Sequence, residues 1–252
     1  MSETATATAL YAYAVVGPVT ERLRNELGDR LELVGDDEVA VVTGEVPLAD
    51  YGTEVLPERL NDRAWLESAA TEHEGVVRRL LGSTAVVPLR FGSIHHDRAS
   101  VERFLQARRA EFAATLERVR GLVEVGVKVW LEPRDRAAEP EAPLPASGRE
   151  YLERRKQERD RAAAASGELD DRLRGIHERL AAVAEAAALN RPQARELTGA
   201  DREMVLNAAY LVATDDEALR AEVERLRSEN ADLAFEVTGP WAPYNFVGGA
   251  DQ

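Results

Sequence analysis

Four histidines are the first side chains to weigh for chemistry, because the chain has no cysteine to act as nucleophile, thiolate ligand or disulfide partner. His95-His96-Asp97 has the residue types of a metal or acid–base site. Adjacent residues diverge on a strand or loop, and no HExxH or comparable pair completes the set, so a solvated loop is expected. His73 shares an apolar helical face with Trp65 and Val76, the position of a core histidine bonded to backbone. His177, between Ile176 and Glu178, is expected at the surface of a long helix. There is no GxSxG elbow, no GxxxxGK[ST] loop and no GxGxxG after a strand. Asp36-Asp37-Glu38 and Asp215-Asp216-Glu217 fall at a hairpin turn and a helix start, where carboxylates serve the turn and the dipole. These patterns give no catalytic residue, no cofactor site and no metal site.

Two apolar-aromatic segments are left over: Val87-Pro88-Leu89-Arg90-Phe91-Gly92, and Thr238-Gly239-Pro240-Trp241-Ala242-Pro243-Tyr244-Asn245-Phe246-Val247. Arg90, Phe91, Trp241, Tyr244 and Phe246 are the candidate interaction or structural positions. A tail with two prolines and three aromatics is either a segment that folds back on its own protein or a preordered anchor for a partner. We expect Trp241, Tyr244 and Phe246 to pack on the second domain, with any partner using the edge left exposed.

The elements that must position these residues follow from periodicity and stop signals. Leu10–Val16 reads as a strand ended by Gly17-Pro18. Thr20 caps a short helix to Leu27, and Leu31–Val34 and Val39–Val42 form a hairpin. The stretch from Val46 to Pro57 is irregular. Asp62 caps a helix with Trp65, Leu66, Ala69, His73, Val76, Val77 and Leu80 on one face, stopped by Gly82. Ala85–Phe91 is a strand, and Pro88 places it at a sheet edge. Asp97 opens a linking helix that runs to Arg120.

From Val123 the same order recurs: a strand to Trp130, a proline-rich exposed loop from Pro133 to Ser147, and a long helical region over 149–189, bent near Ser166-Gly167. A heptad seam runs through Leu169, Leu173, Ile176, Leu180, Val183 and Ala187. Ala194–Leu197 is a short strand, Met204–Val212 a firmer one, Asp215 caps a helix to Arg227, and Leu233–Val237 is the last strand. The fold class is α+β, with two domains of ferredoxin-like βαββαβ order and antiparallel sheets, plus a linking helix and a long helical insertion. The domains are expected at 1–120 and 121–252.

Composition bounds the function classes. With 252 residues of which 44% are hydrophobic, the chain can bury a core, and no run approaches a membrane-spanning length. The first residues lack the basic and apolar regions of a secretory signal. A net charge of −14 repels phosphate backbones and anionic lipid, so neither nucleic-acid binding nor membrane insertion is expected. The RNP1 pattern of RNA-recognition modules is absent too. The acidity sits at the two ends, whereas 148–189 has nine acids and nine bases.

Several segments resemble the gas vesicle protein F/L family: Leu10-Tyr11-Ala12-Tyr13-Ala14-Val15-Val16, His73-Glu74-Gly75-Val76-Val77, Val87-Pro88-Leu89-Arg90-Phe91-Gly92, Val123–Val129 and Thr238–Phe246. Gly-Pro-Trp-x-Pro-Tyr-x-Phe is the most specific of them, and Ala242 stands where the family often has a second proline. The resemblance implies a non-enzymatic, cofactor-free accessory protein of gas vesicle formation, cytoplasmic and associated with the vesicles. Its implied partners are the hydrophobic shell protein and other accessory proteins, bound in a chaperone-like manner to prevent aggregation or assist nucleation. A minor structural component of the vesicle, or a small-ligand or enzymatic protein on paired ferredoxin-like domains, are the alternatives.

Overall fold

Strand β1 (Thr8–Gly17) is the centre of the first sheet in the computed structural model, which describes residues 7–132, 148–193 and 202–248. It is followed by α1 (Glu21–Leu27), β2 (Leu31–Gly35), β3 (Ala40–Pro47), the one-turn helices α2 (Leu48–Tyr51) and α3 (Leu56–Arg59), and α4 (Arg63–Leu80). Then come β4 (Ala85–Pro88), β5 (Ile94–His95) and α5 (Arg98–Arg118). The strand order is β2-β3-β1-β4, every pairing is antiparallel, and β5 pairs with the start of β1. This is the ferredoxin-like arrangement, and β4, carrying Pro88, pairs with β1 alone, as an edge strand should.

The β1–β3 register shifts between Ala12 and Ala14. On one side of the shift Ala9, Tyr11 and Tyr13 face the cluster that contains Leu23, Leu27, Val76, Val77 and Leu80; beyond it Ala14 and Val16 do. Ala12 and Val15 face the opposite cluster, with Val101, Leu105, Phe112 and Leu116 of α5. The bulge thus flips the alternation and puts Tyr13 and Ala14 on the same face. Helices α1 and α4 cover one face and α5 the other. The helix from Asp97 is therefore a core element rather than only a link.

Local signals place these helices. The Thr20 hydroxyl accepts from Leu23 N at 3.2 Å, and an Asp62 carboxylate oxygen accepts from Ala64 and Trp65 N. Asp97 and Ser100 form a reciprocal capping box. Val46–Pro57, expected to be irregular, contains α2 and α3, where Pro57 sits in the first turn of α3.

The second sheet repeats the order as β7-β8-β6-β9. Its elements are β6 (Leu122–Leu131), α6 (Gly148–Ala181), β7 (Ala186–Asn190), β8 (Glu203–Ala213), α7 (Ala218–Glu229) and β9 (Leu233–Trp241). Helix α6 passes through Ser166-Gly167 without interruption. A glycine costs only about 1 kcal/mol in a helix, and the run Ala162–Ala165 before it is strongly helix-forming. The expected seam holds at Leu173, Ile176 and Leu180, which are buried, and stops there. Val183 is exposed and Ala187 lies in β7, because pairing with β8 outweighs alanine's helical preference. Asp216, not Asp215, accepts from the first helical N–H of α7. The expected strand Ala194–Leu197 and the loop Pro133–Ser147 lie outside the described residues.

The chain divides into two compact units, and neither is contiguous. One takes Met1–Val125, Leu211–Asp215 and Gly239–Gln252, the other Gly126–Tyr210 and Asp216–Thr238. The last segment accordingly joins the first unit.

The capping box yields a direct expectation. Asp97→Ala removes the acceptor for Ser100 N and should destabilise the protein by about 1 kcal/mol. A urea titration showing no shift of the unfolding midpoint would contradict this role.

Candidate functional site

His73, on the inward face of α4, is only 5% exposed and joins two tyrosines from distant parts of the first unit. Its Nδ1 lies 3.0 Å from the Tyr11 hydroxyl and its Nε2 3.2 Å from the Tyr244 hydroxyl. Tyr244 donates to Glu74 Oε2 at 3.1 Å, and Gly92 N–H donates to the Tyr11 oxygen at 2.8 Å. With Tyr244 donating to a carboxylate, its oxygen must accept from Nε2–H, so Nδ1 accepts from Tyr11. One directed line of hydrogen bonds therefore runs from the backbone at Gly92, through β1 and α4, to the tail and back to α4. Tyr51 and Phe91 pack edge-on against the Tyr11 ring at 5.7 and 6.2 Å, and Tyr13 lies 4.7 Å away.

Beside this line a second carboxylate holds the tail. Glu124 of β6, itself buried, accepts from Asn245 N at 2.8 Å and from Asn245 Nδ2 at 2.7 Å. Burial pushes the pKa of both Glu74 and Glu124 upward. Hydrogen bonds from Tyr244 and Asn245 act against it, and the charge of Glu74 adds to the rise at Glu124. Glu74 Oε1 is buried and has no hydrogen-bond partner among the described residues.

The electrostatics set what this group can do. Burial lowers the His73 pKa, partly opposed by the Leu89 carbonyl, so the ring is held neutral. Burial pushes the Tyr13 phenol up to about 12 and those of Tyr11 and Tyr244 higher still. Protonated phenols and a neutral imidazole donate and accept hydrogen bonds, and both ring nitrogens of His73 are already engaged, by Tyr11 and Tyr244. No group of three or more His, Cys, Asp or Glu able to hold a metal is present among the described residues.

The sequence candidates separate. Phe91 and Tyr244 meet around His73; the Phe91 ring is 5.9 Å from the imidazole. Trp241 is partly buried one helical turn along α4, with the Arg78 guanidinium 5.9 Å from its ring centre. Phe246 is partly buried, and its carbonyl accepts from Arg118 at 3.1 Å. Arg90 stays apart, exposed and without an ion pair among the described residues. The expectation that these aromatics pack on the second domain is overturned: they lie on the first unit, whose His73, Glu74, Glu124 and Arg118 supply their polar partners.

Tyr11, His73, Glu74, Glu124 and Asn245 were not singled out as site residues. Glu124 gave no signal: in the alternating run Val123-Glu124-Val125 an acid reads as solvent-facing, yet residues 123–125 are all buried. His177, expected at the surface, is half-buried against the Tyr210 hydroxyl at 2.9 Å. His95 is partly buried with Phe104 at 5.1 Å, whereas His96 is exposed.

An open apolar pocket of about 650 Å³ adjoins the cluster through Tyr51 and Gly92. Ala9, Leu48, Val55, Leu56 and Ile94 line it. A larger groove of about 1230 Å³ on the α4 side of the sheet is bordered by Arg30, Glu32, Glu45, Glu72 and Arg79, and is correspondingly polar.

Residues 9–248 match the family model described as gas vesicle synthesis protein GvpL/GvpF. The chain is 36% identical over 250 residues to gas vesicle protein L of Streptomyces sp. (strain CB03234), covering 96% of this chain and 94% of that one. Gas vesicle protein F of Haloferax mediterranei is 25% identical, with 96% of each chain covered. The crystal structure of the gas vesicle protein GvpF from Anabaena sp. PCC7120 superposes with a TM-score of 0.68 at 19% identity, over 96% of this chain and 97% of that chain. GvpF from Microcystis aeruginosa gives 0.64 at 19% identity, over 95% and 99%. These two likenesses establish the shared fold.

Two expectations follow from the geometry. Tyr244→Phe leaves His73 Nε2 and Glu74 Oε2 unpaired and should cost about 1–3 kcal/mol, read as a lower urea midpoint. The second concerns pH. Glu74 is raised above the ordinary 4.5, so its favourable contribution is complete below that value and is lost as pH rises through the folded-state value. The stability difference between Glu74→Gln and the parent should therefore move in the variant's favour as pH rises. A difference that is flat with pH, or moves the other way, would show that burial does not govern this carboxyl.

Proposed function

The chain belongs to the GvpL/GvpF family of gas vesicle synthesis proteins, and from that premise we propose a non-enzymatic accessory protein that binds the hydrophobic shell protein or other accessory proteins, limiting aggregation and assisting nucleation. The observation that carries this reading is the open apolar pocket on the first unit of a strongly acidic chain. An exposed apolar site suits an aggregation-prone client, and a net charge of −14 opposes precipitation of the complex. No described helix is long and apolar enough to cross a membrane. That is compatible with action in the cytoplasm, on subunits before or during their addition to a vesicle.

In this reading the sequence candidates divide their work. Tyr244, Phe91, Trp241 and Phe246 keep the tail on the first unit beside the pocket. Arg90, exposed next to Phe91, is available for a polar contact with the client. With both ring nitrogens of His73 occupied by Tyr11 and Tyr244, the cluster supports a holding role over a catalytic one.

Val55→Asp and Leu56→Asp place charges in the pocket wall without touching the His73 line. Each should leave the unfolding midpoint nearly unchanged and abolish capture of co-expressed shell protein in a tagged pull-down. Undiminished capture by both variants would remove the pocket from the mechanism. Retention of the protein on intact, washed vesicles would instead favour a structural place in the vesicle.

A further inference from the structure

Helix α6 is 34 residues long, and the burial that holds it begins only at Leu169. From 149 to 168 every described side chain is exposed. This stretch includes Leu152 at 68% and Tyr151 at 50%, the two most exposed large hydrophobics of the described chain apart from Leu189. A helical segment without tertiary cover is marginal in water, and here it is supported by the i,i+4 pairs Arg149–Glu153 and Arg154–Glu158. The charge also departs from the rest of the chain. Residues 149–161 hold six bases and four acids, in a protein of net charge −14.

At about 100° per residue, Tyr151, Leu152, Arg155, Lys156 and Arg159 fall within one sector of the helix. Arg155 and Lys156 have no ion pair among the described residues, and Arg159 reaches only its neighbour Asp160, at 3.8 Å. The sector spans about 140°, with Arg155 and Arg159 between Tyr151 and Leu152 and Lys156 beside Leu152, so two exposed apolar side chains share one face with three cations. Two copies of it would bring Arg155 and Lys156 against like charges, so pairing with its own copy is opposed. The complementary surface is a helix with an apolar seam flanked by Asp or Glu, as in a short heterotypic coiled coil.

We propose that the first half of α6 is a docking arm for an acidic amphipathic helix of another protein. This surface is separate from the apolar pocket, and the proposal stands or falls without the assembly reading above. Tyr151 and Leu152 would pack into the partner's seam, and Arg155, Lys156 and Arg159 would pair with its acids. Those pairs are exposed, so binding weakens with salt.

The test uses the full-length protein and two fluorescent 21-residue peptides. Both have leucine at the a and d positions, with glutamate and alanine elsewhere in one and lysine and alanine elsewhere in the other. Anisotropy titrations at low ionic strength should show binding of the acidic peptide and not of the basic one. The double variant Arg155→Glu with Lys156→Glu should weaken the acidic peptide about tenfold and reverse the preference. Leu152→Glu should weaken it as well, with circular dichroism unchanged in both variants. No binding of the acidic peptide, equal binding of both, or binding indifferent to these variants would overturn the proposal. Preferential capture of phosphatidylserine vesicles through Arg155 and Lys156, or self-association that those substitutions abolish, would overturn it too.

Discussion

Strand β1 can be satisfied only if both of its faces are covered at once. From Tyr11 to Val16 every residue is buried, whereas an antiparallel sheet commonly leaves one face to water. Covering the first face takes α1 and α4, and covering the second takes α5. The bulge at Tyr13-Ala14 then shifts which side chains each layer receives. The same demand reaches the C-terminal segment: Ala242 enters the cluster under α4, and Val247 enters the one under α5. A segment more than two hundred residues away in sequence thus closes both layers around the first strand.

How much of this was legible depends on how local each signal is. Thr20, Asp62 and Asp97 announce helices because a side-chain oxygen within three residues satisfies the free N–H groups. Pro88 announces a sheet edge because it cannot donate to a ladder. The two ferredoxin-like orders follow from the succession of such signals. Misreadings occur where a distant partner decides. Ala186–Asn190 is helical by composition and becomes a strand because β8 lies beside it. The candidate site was half legible for the same reason. Phe91 and Tyr244 stand out as aromatics, but Glu74 and Glu124 matter only because the tail returns to them, and nothing in their own neighbourhood records that return.

Direction of the tail's return follows from the charges. Thr238 to Gly248 contains no side chain charged at neutral pH, so it can approach an acidic unit without repulsion. What it offers instead are neutral donors, the Tyr244 hydroxyl and the two N–H groups of Asn245, and what it meets are the carboxylates of Glu74 and Glu124. Hydrogen bonds to a charged acceptor are stronger than neutral ones, and the buried carboxylates would be costly without them. The raised pKa of both acids records that the compensation is incomplete, as does the unpartnered Oε1 of Glu74. An acid removed from one end of the chain would therefore not substitute for these two. Surface acids supply the repulsion that keeps copies apart, while Glu74 and Glu124 are consumed internally as acceptors that hold Tyr244 and Asn245. That separation lets the outer surface stay strongly negative while the apolar pocket beside the His73 line stays open, with no described tail residue among those lining it.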